Sequence, residues 1–314
     1  GHVVNRITGC LTGLRIQAEY VRDRSKSQPN YRVAAVRARP TMTFRSHDTA
    51  ILQRSDGKSE HVITQIYEIQ NPGDVAPICA LGIDHIGSVV LSATEWQQPV
   101  LRETVRMVQK CGKKSSLIPL FNNPETVFET LDYYRPDIVH FCEMLSLGSA
   151  GIQLCQHLVS LQREIRRRYP GLAIMRSIPI GRPASNTDMG TLPLAEMFEG
   201  VSDYFLTDTV LSTAGNLSPQ PVEGFVGITG QTCHWETARE LVGRSPIPVI
   251  LAGGLSPENV YDAIRFVQPA GVDSCTCTNR LDDQGRHVRF QFEMQRSDGE
   301  TRLGHDPEVV PGVR

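Results

Sequence analysis

Several signatures are missing from this sequence, and each absence narrows the field. No run of about 18 apolar residues exists, so no segment reads as a membrane-spanning helix. No Cys-x-x-Cys pair occurs among Cys10, Cys79, Cys111, Cys142, Cys155, Cys233, Cys275 and Cys277. Cys275 and Cys277 are too closely spaced for an ordinary zinc knuckle, and no second pair answers them. His85, His140, His157 and His234 show no ligand spacing with acids or cysteines, so no metal is implied. No G-x-x-x-x-G-K-S/T loop suggests nucleotide hydrolysis, and no cofactor is implied. A formal net charge of −2 gives no whole-molecule attraction to nucleic acid or to an anionic membrane.

What remains is ordinary for a globular chain. The 314 residues are 40% hydrophobic and 21% charged, which excludes a collagen-like, coiled-coil or wholly disordered protein and leaves room for one or two domains. Most cysteines lie in apolar runs, where they act as small hydrophobes; they read as reduced thiols of a cytosolic protein. The charge is uneven. Residues 1–58 hold eleven Arg and Lys against four Asp and Glu. This Arg-rich, acid-poor segment lacks the apolar core of a secretory signal. Its composition is compatible with an organelle transit peptide, but the preferred reading is a basic, partly flexible N-terminal extension, with Met42 as an internal candidate start.

From about residue 61, short β-branched runs alternate with segments of helical period. The strand candidates are HVITQIYEI (61–69), HIGSVVL (85–91), SSLIPLF (115–121), DIVHFCE (137–143), LAIMRSIPI (172–180), DYFLTDTV (203–210), PVILAGG (248–254) and GVDSCTCT (271–278). Helices are expected over 72–82, 99–112, 152–169, 192–200, 234–243 and 257–267, with Asn123-Pro124-Glu125 opening another. Such alternation argues for parallel strands joined by crossover helices. Eight units fit a closed barrel better than an open sheet, whose first turn would carry G-x-G-x-x-G; here that turn is Gln70-Asn71-Pro72-Gly73. The expected architecture is α/β, a (β/α)8 TIM barrel over 59–296, with the extension 1–58 and a C-terminal tail 297–314. RHVRFQFEMQR (286–296) is as compatible with a strand as with a helix.

In such a barrel the chemistry sits at the C-terminal ends of the strands, and phosphate groups often bind after strands seven and eight. Gly253 and Gly254 allow close backbone approach there, next to a helix N-terminus, and Thr276 adds a hydroxyl. A second loop, Gly227-Ile228-Thr229-Gly230, makes Gly227, Thr229 and Gly230 further phosphate-binding candidates. Asp208 ends the run FLTD; a carboxylate in an apolar strand is costly without a partner and is a candidate acid or base. His140 and Glu143 end the fourth strand, and Tyr67 and Glu68 the first, where Gln65, Tyr67 and Ile69 share one face. Arg166-Arg167-Arg168 reads as a solvated helix end, favourable with the helix dipole.

Taken together in order, Gly227-Ile228-Thr229-Gly230-Gln231-Thr232-Cys233-His234-Trp235, LAGGLSPENV (251–260), GVD (271–273), ALGIDHIGSV (80–89) and LTDT (206–209) resemble the phosphoribosylanthranilate isomerase family of tryptophan biosynthesis. The resemblance runs over about residues 64–279. It implies an Amadori rearrangement of a phosphoribosyl amine, in which a general acid opens the ribose ring and a general base removes the C2′ proton. The family's acid position falls on Asp208, and its phosphate loops fall on Gly253, Gly254 and the backbone near Thr276. The first strand departs from the family: TQIYEI stands against V-K-I-C-G-I, so that Gln65 replaces lysine, Tyr67 the catalytic cysteine and Glu68 glycine. The family arginine after strand two has no counterpart in SATEWQQPV (92–100), and His140 stands where the family has glutamine.

Three functional readings stay open. The leading one is a divergent isomerase-like enzyme acting on a phosphorylated sugar or aminosugar, with Asp208 as acid and Tyr67 or His140 as its partner. His140 is favoured there by its ordinary pKa near 6.5. The second is a genuine phosphoribosylanthranilate isomerase with a relocated base. The third is a non-catalytic ligand-binding or interaction protein. The expected partner is a small phosphorylated sugar or related anion, bound by a monomer or homodimer.

Overall fold

A computed structural model describes residues 61–183, 189–213 and 216–278, together with the backbone of strand segments within 1–60. Eight strands form the centre: β1 (Ile63–Ile66), β2 (His85–Val90), β3 (Lys114–Pro119), β4 (Ile138–Phe141), β5 (Ala173–Gly181), β6 (Tyr204–Val210), β7 (Val249–Leu251) and β8 (Gly271–Ser274). Each pairs in parallel with the next in sequence, and β8 pairs with β1 to close the barrel. Between them lie α1 (Pro72–Cys79), α2 (Pro99–Lys110), α3 (Pro124–Tyr134), α4 (Ser149–Arg168), α5 (Thr191–Phe198), α6 (Trp235–Arg244) and α7 (Val260–Val267). The (β/α)8 barrel expected from the alternation is therefore the fold. Among the described residues no helix is long and apolar enough to cross a membrane.

The local signals act as their chemistry requires. Asn123 accepts from the Thr126 amide and caps α3, with Pro124 at its first position. His234 caps α6 through Nδ1 and the Thr237 amide. At the N-terminal end of the barrel an aspartate just before each of three even strands clips the start of its odd neighbour. Asp84 accepts from the Thr64 amide, Asp137 from Ser115 and Asp203 from Ile174, at 2.7–2.9 Å. Burial alone would raise the Asp137 carboxyl, but the Ser115 and Gln109 hydrogen bonds and Lys114 outweigh it and hold it below the ordinary range. Arg166 pairs with Asp203, while Arg167 and Arg168 pair with Glu164, so the Arg triplet is spent on neighbouring carboxylates.

Two strand expectations need correction. The first strand stops at Ile66 because Glu68 takes a left-handed φ of 67°, which no continuing strand tolerates. The eighth stops at Ser274, and Thr276–Thr278 form a 3₁₀ turn. Segment 286–296 and the tail 297–314 lie outside the described residues, as does Met42. In the extension, Val3–Leu11, Leu14–Arg22 and Tyr31–Ala38 form a three-stranded antiparallel sheet, and Ile51–Gln53 pairs with Ser59–His61.

Side-chain alternation builds the barrel interior in layers. Ile138, Met175, Leu206 and Ile250 form an apolar floor, each worth about 1.5–3 kcal/mol if fully buried. Toward the C-terminal ends of the strands, Tyr67, Ile118, Cys142, Met189, Val210 and Val226 form a second apolar cluster. Inward-facing polar side chains of the same strands form the candidate site.

Candidate active site

Four hydrogen bonds link five side chains, four of them on β3, β4, β5 and β6 and one, Tyr67, just after β1. The Tyr67 hydroxyl lies 2.6 Å from Ser116 Oγ and 2.8 Å from His140 Nδ1. His140 Nε2 lies 2.9 Å from Ser177 Oγ, and Ser177 donates to Asp208 Oδ2 at 2.9 Å. The three candidate catalytic residues are thus brought into one network, with Ser177 bridging His140 to Asp208 and Ser116 ending it at Tyr67, two serines that the sequence did not single out. Ser116 and Ser177 are fully buried, Tyr67 and His140 nearly so, while Asp208 keeps part of its surface.

Environment sorts these groups. Asp208 is walled in on most sides, and this desolvation pushes its carboxyl up to about 7, against the opposing effect of the Ser177 hydrogen bond. At neutral pH it is therefore populated in both protonation states, as a general acid needs. Tyr67 is different: burial, then the nearby Asp273, Cys142 and Asp208, raise its phenol well above the ordinary value despite the Ser116 bond. It holds its proton and is no free base. The ordinary pKa that favoured His140 does not survive either. Burial, helped by Arg176, lowers it to about 3, leaving a neutral imidazole.

A neighbouring cluster joins residues that nothing in the sequence put together. Gln65 donates to Asp273 Oδ1 at 3.1 Å, and its Oε1 lies 3.1 Å from His85 Nδ1. Asp273 is pushed up to about 8 by burial, opposed by the Gln65 bond and reinforced by Asp208. An amide at position 65 brings no positive charge to offset that desolvation. His85 is lowered to about 4, chiefly by burial. Glu143 is withdrawn from the site: it pairs with the fully buried Arg176 at 2.5 Å, whose other nitrogens reach Gln162.

Two glycine positions show how tightly the rim is built. A side-chain carbon on Gly87 of β2 would overlap the Tyr67 ring, so the absence of one is what admits the phenol. Gly227, at φ 107°, passes over Asp208, and a Cβ there would stand 3.1 Å from Oδ1. The other candidate phosphate residues gather beside it. Gly254 packs on the backbone of Gln231 and Thr232, with a would-be Cβ at 2.6 Å, Gly253 packs on the Thr209 hydroxyl, and Gly230 lies against the Thr276 methyl. Thr209 donates to the Gln231 carbonyl at 2.7 Å, and Thr229 Oγ1 accepts from the Gln231 amide. Gly227, Thr229, Gly230, Gly253, Gly254 and Thr276 therefore form one loop cluster beyond β6, β7 and β8.

Residues 173–277, which span β5 to β8 and this loop cluster, match the family model described as N-(5′-phosphoribosyl)anthranilate (PRA) isomerase. The chain is 26% identical over 211 residues to N-(5′-phosphoribosyl)anthranilate isomerase 1 of Methanosarcina mazei, covering 66% of this chain and 82% of that protein. The chain is thus similar to phosphoribosylanthranilate isomerases, by the family model over its second half and by relatives over about two thirds of its length. A second M. mazei phosphoribosylanthranilate isomerase is 37% identical over 129 residues, but the match spans 40% of this chain and 50% of that relative. The crystal structure of phosphoribosylanthranilate isomerase from Thermotoga maritima aligns with TM-score 0.48 and 18% identity, covering 73% of this chain and 95% of that one. The fold assignment itself rests on the strand order given above.

Proposed function

We propose that this protein is an isomerase-type enzyme for a phosphorylated aminosugar, with Asp208 as the general acid. N-(5′-phosphoribosyl)anthranilate is the first substrate to test. The observation that carries this reading is Asp208 itself: a carboxyl near pKa 7, partly exposed at the C-terminal end of β6, hydrogen-bonded by Ser177 and overlain by the Gly227 backbone. Its proton passes to the ribose ring oxygen as the C1′–O bond breaks and the nitrogen lone pair forms the iminium. The Asp208 carboxylate left by that transfer then takes up the C2′ proton, giving the enolamine. The loop cluster of Gly227, Thr229, Gly230, Gly253, Gly254 and Thr276 is the proposed seat of the phosphate, with close backbone approach and amide donors as the binding elements.

The rebuilt first strand supports a second reading, binding without isomerisation. Tyr67 occupies the position of the family cysteine, keeps its proton and fills the space over Gly87. Turnover of N-(5′-phosphoribosyl)anthranilate, followed by its fluorescence, separates the two. The isomerase reading expects turnover that Asp208→Asn abolishes while inorganic phosphate binding, measured by calorimetry, stays within a few fold. Phosphate binding with no turnover in the unaltered chain would favour the second reading. An unchanged rate in Asp208→Asn would remove Asp208 from the mechanism.

A further inference from the structure

The five-residue network contains more than a way of holding Asp208. Each of its links joins two groups that can both donate and accept, apart from the carboxylate end. With Asp208 ionised, Ser177 must donate to it. Ser177 then accepts from His140 Nε2–H, His140 Nδ1 accepts from the Tyr67 hydroxyl, and Tyr67 accepts from Ser116. With Asp208 protonated, the carboxylic acid donates to Ser177 and every arrow reverses, so that His140 carries its hydrogen on Nδ1 and Tyr67 turns its hydroxyl to Ser116. The distances of 2.6–2.9 Å suit both senses.

We propose that Ser177, His140, Tyr67 and Ser116 act as a hydrogen-bond switch that follows the ionisation of Asp208, with the neutral imidazole of His140 exchanging which nitrogen bears its hydrogen. Only Asp208 gains or loses a proton overall. Each hydroxyl keeps one hydrogen, and the imidazole releases one proton from one ring nitrogen and takes one up at the other. Without the exchange, a protonated Asp208 would keep Oδ2 as the acceptor from Ser177 and carry its proton on Oδ1, outside the network. Ser177, His140 and Tyr67 are positioning residues here, because they act through Asp208. The catalytic use of the switch, letting one carboxyl donate a proton and take one back, rests on the isomerase reading; the switch itself does not.

The groups around the network decide whether it works over the neutral range. His140 sees the Arg176 guanidinium on β5, which disfavours an imidazolium. Tyr67 sees Asp273 on β8, Cys142 beyond β4 and Asp208 on β6. Cys142 is itself held as the thiol by burial, with Glu143 and Asp208 adding to that and Arg176 opposing. Asp273 bonds Gln65, a branch separate from the four links. All of them leave His140 neutral and free to change tautomer.

The test is ¹⁵N NMR of the full chain labelled at histidine, with no substrate, from pH 5 to 9. The switch predicts that His140 stays neutral throughout, with hydrogen on Nδ1 below about pH 7 and on Nε2 above it. The midpoint should vanish in Asp208→Asn and persist in Asp273→Asn. Ser177→Ala should freeze one tautomer, and Ser177→Thr should restore the exchange. A single tautomer across the range in the unaltered chain, an imidazolium within it, or an exchange that persists in Asp208→Asn would overturn the proposal. Because the readout needs no turnover, a chain that binds phosphate but does not turn over N-(5′-phosphoribosyl)anthranilate would favour the binding reading and leave the switch standing.

Discussion

Strand β6 and the residue that follows β1 each carry a titratable side chain into the same polar layer, and the barrel treats the two in opposite ways. On β6, Asp208 keeps a surface at the mouth and titrates at about 7. Just after β1, Tyr67 is enclosed, doubly hydrogen-bonded and locked in its protonated form. The backbone differs as well. Around β6 the left-handed turns near the site fall on Gly227, Gly230, Gly253 and Gly254, although Ile228 also has φ 59°; after β1 the left-handed turn falls on Glu68. Burial alone does not make a catalytic group. It raises both pKa values, but it brings a carboxyl into the working range and drives a phenol out of it.

The largest break in this contrast is Asp208→Asn. If the acid role is right, kcat on the aminosugar substrate falls roughly 10²–10⁴-fold, while thermal stability rises, since a buried acid is removed. A pH series of chemical denaturation sharpens the same point. Asp208 and Asp273 have folded pKa values of about 7 and 8, above the unfolded value near 4. Their contribution to stability is fully present below about pH 4 and is lost as pH rises through those values. Asp74, raised to about 6 chiefly by burial, adds to the trend. Stability at pH 5 should exceed that at pH 8.5 by roughly a few kcal/mol, and Asp208→Asn should flatten the slope.

Gly87→Ala tests the β1 side. The added methyl group meets the Tyr67 ring, and overpacking of this kind costs about 3 kcal/mol. Adding Tyr67→Cys should recover more than 1 kcal/mol of that in a double-mutant cycle; strict additivity would mean that the two residues do not share the space. The smallest effect is Glu68→Gly. Relief of the left-handed backbone at φ 67° should outweigh the extra chain entropy and raise stability by up to about 1 kcal/mol, seen as a melting temperature a few degrees higher.

Much of this layout was legible in the residues alone, for reasons that can be stated. The barrel followed from alternation of strand and helix patterns, which local propensity and turn chemistry encode. Asp208 was legible because a carboxylate interrupting FLTD is costly unless it has a use or a partner. Tyr67 and His140 stood out as titratable groups at strand ends, but their pKa values depend on enclosure, which no local pattern reports. Ser116 and Ser177 gave no signal, because serine is common in strands and their role comes from the inward register of β3 and β5. Asp273 was visible within GVD, yet its link to Gln65 spans 208 positions of sequence and exists only once β8 closes on β1.

The most direct test of the account is a ¹³C NMR titration of the aspartate carboxyls in the unaltered chain. Asp208 and Asp273 should titrate with apparent midpoints near 7 and 8, and the resonance moving near 7 should be missing in Asp208→Asn. If every aspartate carboxyl instead titrates near pH 4, Asp208 is an ordinary ionised side chain at neutral pH, and the acid role proposed for it fails.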